Sequence, residues 1–113
     1  MFTIDILKEF GADTEEGLAR CMNNEAFYLK MVDMGIKDER FRALKPLLDE
    51  GKLDEAFELS HALKGVLGNL SLTPIFEPMD EMTELLRKRT DMDYSSLVDK
   101  MLAELERLLS MEQ

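Results

Sequence analysis

His61 is the only histidine in a chain of 113 residues. Lys64, Gly65, Gly68 and Asn69 follow it, and together these residue types suit phosphorus chemistry. An exposed imidazole is largely neutral near pH 7 and offers a free nitrogen lone pair, which makes it a nucleophile towards an electrophilic phosphorus. Lys64, three residues on and so about one helical turn away, supplies a cation for the phosphoryl charge. Gly65 and Gly68 fall one and two turns beyond the ring, and each costs a helix interior about 1 kcal/mol relative to Ala. Bare backbone at these positions lets a partner's active site approach the imidazole closely. No Gly-rich loop followed by Lys-Ser/Thr is present to hold a nucleotide, so the chain is not expected to draw phosphate from ATP unaided. This chemistry describes a phosphoryl carrier that is not itself an enzyme and needs no cofactor.

The element that must present these groups is a helix from about Leu53 to Leu70. At about 100° per residue, Ala56, Leu59, Leu63, Val66 and Leu70 gather on one face as a core stripe. Asp54, Phe57, Glu58, His61, Lys64, Gly65 and Gly68 fall roughly opposite, so His61 should face water and neither glycine should lie on the buried face. Before this helix, the pattern predicts an opening segment from about Thr3 to Phe10, a break at Gly11, and a short helix begun by the capping-box spacing Asp13 to Glu16. A longer helix from about Asn24 to Gly51 follows, with Gly35 and Pro46 as places where it bends or breaks. After it, Thr73 is the expected N-cap and Pro74 the first residue of a helix reaching about Arg89, whose basic run Arg87-Lys88-Arg89 suits the negative end of the helix dipole. Asp93 should cap a last helix with the stripe Leu97, Met101, Leu105 and Leu108. Links of two to four residues between helices of similar length predict antiparallel packing. The expected fold is all-α, an up-down four-helix bundle with short N-terminal capping helices, in one domain spanning residues 1–113.

Composition narrows the setting. Apolar residues at 45% and charged residues at 34% support a folded core under a solvated surface. A net charge of −10 has the wrong sign for gripping a nucleic-acid backbone. Cys21 stands alone, which excludes an internal disulfide and suits a reducing cytoplasm. No stretch has the length of an apolar signal core or of a membrane span. A Met1 start and an end just past the last helix favour a free-standing protein.

Simpler explanations compete for several of these residues. Glu58 and His61 form the Glu-x-x-His unit of di-iron bundles, but those need two such units with inward-facing ligands, so no metal site is expected. Lys64 could pair with surface carboxylates instead of a phosphoryl group. Asn69 is better placed for structural hydrogen bonds near the helix C-terminus than for phosphate. Phe57 could pack on a neighbouring helix as easily as meet a partner. Helical spacing of Met22, Met31, Met34, Met79, Met82 and Met101 favours core filling over a binding surface.

The run His61-Ala62-Leu63-Lys64-Gly65-Val66-Leu67-Gly68-Asn69-Leu70 closely resembles the signature of histidine-containing phosphotransfer (HPt) domains, His-x-Leu-Lys-Gly followed by a small residue and Asn-Leu. Phe10-Gly11-Ala12-Asp13, Gly17-Leu18-Ala19-Arg20 and Phe27-Tyr28-Leu29 resemble, more weakly, the lead-in of bacterial members. The resemblance implies that His61 is the phosphoacceptor through its Nε2, that Lys64 contacts the phosphoryl group, and that Gly65 leaves room for a docking receiver domain. The surrounding partner-binding surface would include Phe57, Glu58 and Gly68. It also implies a cytoplasmic two-component phosphorelay, with response-regulator receiver domains and a hybrid sensor histidine kinase as partners, and a monomeric chain. Two positions depart from the family pattern: Ser71 stands where many members have Gly, and Gly35 where an apolar residue is common. The competing expectation is a helical adaptor that binds a receiver or kinase without transferring phosphate.

Overall fold

Two short helices come first, each begun by a side-chain cap. The computed structural model describes all 113 residues. In α1 (Ile4–Phe10) the Thr3 hydroxyl accepts from the Ile6 N–H at 3.1 Å, and Gly11, at φ 110°, closes the helix in the left-handed conformation that favours glycine. In α2 (Thr14–Arg20) the Asp13 carboxylate accepts from the Glu16 N–H at 3.1 Å. The Asp13 N–H donates to the Ser71 carbonyl, so Glu16 does not complete a capping box and α2 is tied instead to the turn after the His61 helix. Asn24 caps α3 (Glu25–Ile36) through the Phe27 N–H.

The long helix expected from Asn24 to Gly51 is two pieces. α3 runs through Gly35 to Ile36, and a 3-10 segment (Glu39–Ala43) then leads into α4 (Leu44–Asp49). The break comes at Asp38, whose side chain accepts from the Arg40 N–H and pairs with its guanidinium, offering the backbone a turn in place of a continued helix. Pro46 does not break anything, because it lies in the first turn of α4, where no helical donor is needed.

α5 (Leu53–Asn69), α6 (Thr73–Arg87) and α7 (Ser95–Ser110) complete the all-helical bundle. α5 and α6 are antiparallel: Gly68 meets Phe76, Lys64 meets Asp80 and Asp54 meets Arg89, one number rising as the other falls. Thr73 is the first helical residue of α6, not its cap; Leu72 holds the cap position without a side-chain bond. Asp93 lies one residue before the cap of α7, a position held by Tyr94 without a side-chain bond, and its carboxylate accepts from the Ser95 N–H at 2.9 Å. Buried side chains from both ends of the chain form one cluster, including Leu7, Phe10, Tyr28, Val32, Leu63, Leu67, Met79, Met82, Met101 and Leu105. No helix is long and apolar enough to cross a membrane.

The N-terminal helices are part of this core. The buried Tyr28 hydroxyl donates to the Leu70 carbonyl at 2.8 Å, and burial, with Cys21 and Asp13 adding, pushes the phenol up to about 12. Gly17 is required beside it, since a Cβ there would stand 2.5 Å from the Tyr28 ring. Gly35 has a similar cause: a Cβ would lie 2.9 Å from Leu70 and 3.4 Å from Val66, so the missing side chain lets α3 lie close on α5. Phe27 and Met34, on the same flank of α3, point outward, 48% and 58% exposed, while Met31 between them is half-buried against the core. Met22 is exposed as well, so core filling holds for Met79, Met82 and Met101 but not for Met22 or Met34.

Ser71 ends α5 at φ 55°, the left-handed region where a Cβ is disfavoured and where glycine serves best. The 6→1 bond from the Leu72 N–H to the Leu67 carbonyl requires that turn. Its hydroxyl is also buried without a hydrogen-bond partner. Ser71→Gly should therefore stabilise the chain by about 1 kcal/mol, raising the midpoint of a thermal melt by roughly 4 °C.

Candidate functional site

α5 carries His61 as an exposed side chain midway along a 17-residue helix. The buried face of α5 is turned slightly from the stripe drawn on apolar residues alone. Ala56, Ser60, Leu63, Leu67 and Leu70 are buried, while Leu59 and Val66 are only half-buried at its edge. Ser60 can lie inside because its hydroxyl donates to the Phe57 carbonyl at 3.1 Å, leaving no polar group unpaired. His61 stays on the opposite, solvent side, with Glu58, Ala62, Gly65 and Asn69 exposed around it.

The two glycines after His61 have different surroundings. A Cβ on Gly65 would meet nothing within 4 Å, so nothing inside the molecule accounts for the missing side chain. A Cβ on Gly68 would touch the Phe76 ring at 3.4 Å, and the residue is half-buried. The expectation that Gly68 lies away from the helix contacts is therefore corrected: it sits beside α6, although a Cβ there would make only an ordinary contact and packing does not demand glycine.

Phe57 is half-buried and does two things at once. Its ring stacks on the His61 imidazole, with centroids 5.6 Å apart and planes 17° from parallel, as residues four apart on one helix face can do. The Arg87 guanidinium, from the end of α6, lies 5.0 Å from the same ring centroid. Phe57 thus restricts the imidazole and joins it to a cation. Sequence reasoning had assigned Arg87 only to the helix dipole and gave it no place near the site.

Lys64 points along the flank of α5 that faces α6. Its ammonium is 2.7 Å from Asp80 and 3.3 Å from Glu84, and Glu84 also pairs with Arg87 at 3.2 Å. The Asp80 carboxylate first, and then Glu84, hold the ammonium above the ordinary lysine range. Lys64, then Arg87, hold Glu84 below the ordinary carboxylate range. Lys64 is therefore an ion-paired residue, within one turn of His61 but committed to α6.

The arrangement offers one exposed nucleophile on a rigid helix, an aromatic ring that orients it, cations within one turn and across Phe57, and open backbone at Gly65. No group of three His, Cys, Asp or Glu side chains is placed to hold a metal ion, and Glu58 reaches solvent beside His61. A protein-family model described as the Hpt domain matches residues 37–111, from the link after α3 to the end of α7. No curated protein and no solved structure matches the chain significantly.

Proposed function

Because the chain belongs to the Hpt domain family, whose members are phosphocarrier modules of two-component signalling, we propose that His61 carries a phosphoryl group between receiver-domain aspartates and that residues 1–113 act as one such domain. The neutral imidazole attacks the phosphorus of a receiver's aspartyl phosphate. The new N–P bond forms as the P–O bond breaks, the receiver carboxylate leaves with the electron pair, and the imidazole proton passes to water. The reverse step loads a second receiver. Charge neutralisation during transfer comes mainly from the receiver's own bound cation, with Lys64 as this chain's contribution.

Gly65 is the observation that carries this proposal. A helix-interior glycine costs about 1 kcal/mol, and here the volume it leaves open is filled by nothing in the chain. A docking partner that must bring its aspartate to His61 supplies the reason. Gly65→Leu should leave the fold intact yet slow transfer from a receiver by at least about tenfold, since a small misplacement of reacting atoms is costly. Labelling of the same variant by phosphoramidate, which needs no docking, should be unchanged.

The deciding experiment incubates the chain with a panel of phosphorylated receiver domains and locates the phosphate by mass spectrometry that retains it. Acid-labile phosphate on His61 supports the carrier. Receivers that bind across the panel without labelling His61 would instead make the chain an adaptor.

A further inference from the structure

We propose that Asp80 and Glu84, on α6, compete with the phosphoryl group for Lys64 and thereby set how readily His61 gives that group up. This rests on the carrier function proposed above and adds to it a control on the direction of transfer. Lys64 has three N–H donors, and two carboxylates already engage it, at 2.7 Å and 3.3 Å. Its side chain is only 23% exposed, whereas Asp80 and Glu84 are 42% and 45% exposed, so the ammonium is folded onto α6 and is not free in solvent. Glu84 holds Arg87 as well, so the cation on the Phe57 ring is tied to the same carboxylate.

A phosphoryl group on His61 brings close to two negative charges to within one turn of Lys64. Two of its three donors are taken, so the phosphate must share that lysine with carboxylates that pair with it whether or not phosphate is present. Each acid therefore stabilises the unphosphorylated protein relative to the phosphorylated one. The net effect is a phosphohistidine that gives its group up readily: the N–P bond breaks, the imidazole keeps the electron pair, and the acceptor aspartate forms the new P–O bond. Neither acid touches the reacting atoms; both act as positioning residues through Lys64.

The test is the equilibrium constant for sharing one phosphoryl group between His61 and the aspartate of a receiver that labels it. It is measured for the native chain, Asp80→Asn, Glu84→Gln and the double variant, and for each again with Lys64→Ala. Both substitutions keep size and lie on the surface, and circular dichroism checks the fold. Asp80→Asn and Glu84→Gln should each shift the equilibrium towards phosphorylated His61 by roughly threefold, and together by about tenfold. With Lys64→Ala those shifts should shrink to less than about 1.5-fold. No shift in the native background would overturn the proposal. A shift equally large without Lys64 would also overturn it, because the acids would then act by simple repulsion of phosphate. If neither a receiver nor phosphoramidate labels His61 in the native chain, the carrier function itself fails, and this proposal with it.

Discussion

His61→Gln should remove all acid-labile phosphate from the chain while leaving its thermal midpoint within about 2 °C of the native value. Loss of label is expected to be complete because His61 is the only histidine, and because an amide nitrogen has no available lone pair with which to attack phosphorus. Stability should hold because the imidazole is exposed and its one close side-chain partner is the Phe57 ring, a contact worth roughly 0.5 kcal/mol on a helix surface. Glutamine is a good helix former and keeps most of the side-chain length. Receiver binding should persist, since the docking area proposed around Gly65 is untouched. Mass spectrometry of the labelled variant, paired with a binding titration against the same receiver, measures both halves. Phosphate that survived the substitution would move the acceptor to another residue and sink the assignment of His61.

Removing residues 1–36 should abolish cooperative folding, even though the family match begins at residue 37. The removed segment supplies Phe2, Ile6, Leu7, Phe10, Cys21, Tyr28, Val32 and Ile36, which are eight of the 25 buried hydrophobic residues. At about 1.5–3 kcal/mol for each large side chain withdrawn from water, their gross contribution is at least comparable to the roughly 5–15 kcal/mol of net stability typical of a domain. The remainder would also lose what α1 and α3 cover: the Leu70 carbonyl would lose Tyr28, Leu70 and Val66 would lose the close approach at Gly35, and Arg107 would lose both the Phe10 carbonyl and the Phe10 ring. Thermal melts followed by circular dichroism should show no sharp transition, and a dye that reports exposed apolar surface should bind. A truncated chain that still melted cooperatively near the native midpoint would show that the N-terminal helices are dispensable decoration.

The helical content and the outward face of His61 are legible in the sequence because both depend on spacing along one helix, and a wheel resolves direction to within a residue or two. The same wheel misplaced the centre of the buried stripe, since it counts Ser60 as polar and cannot see its hydroxyl satisfied by the Phe57 carbonyl one turn back. Gly68 and Lys64 were harder. Their partners, Phe76, Asp80 and Glu84, lie on the next helix, and which residues face them depends on how α5 and α6 align, which the pattern within α5 does not contain. The break at Asp38 was hidden for a different reason: the Asp38 to Arg40 turn is strong locally, but neither Gly nor Pro marks it. Gly35 and Ser71 stood out as departures from the family pattern, and both mark the place where α3 and the end of α5 come together.

The uneven placement of the nine methionines divides the molecule by its susceptibility to oxidants. Met22, Met34 and Met92 present their thioethers to solvent, whereas Met79, Met82 and Met101 are sealed in the core. Peroxide would reach the outer group first and turn flexible apolar side chains into polar sulfoxides, which sulfoxide reductases can restore. Such damage would roughen the apolar flank of α3 without opening the bundle, so the chain could age at its surface while His61 stayed mounted on an unaltered helix.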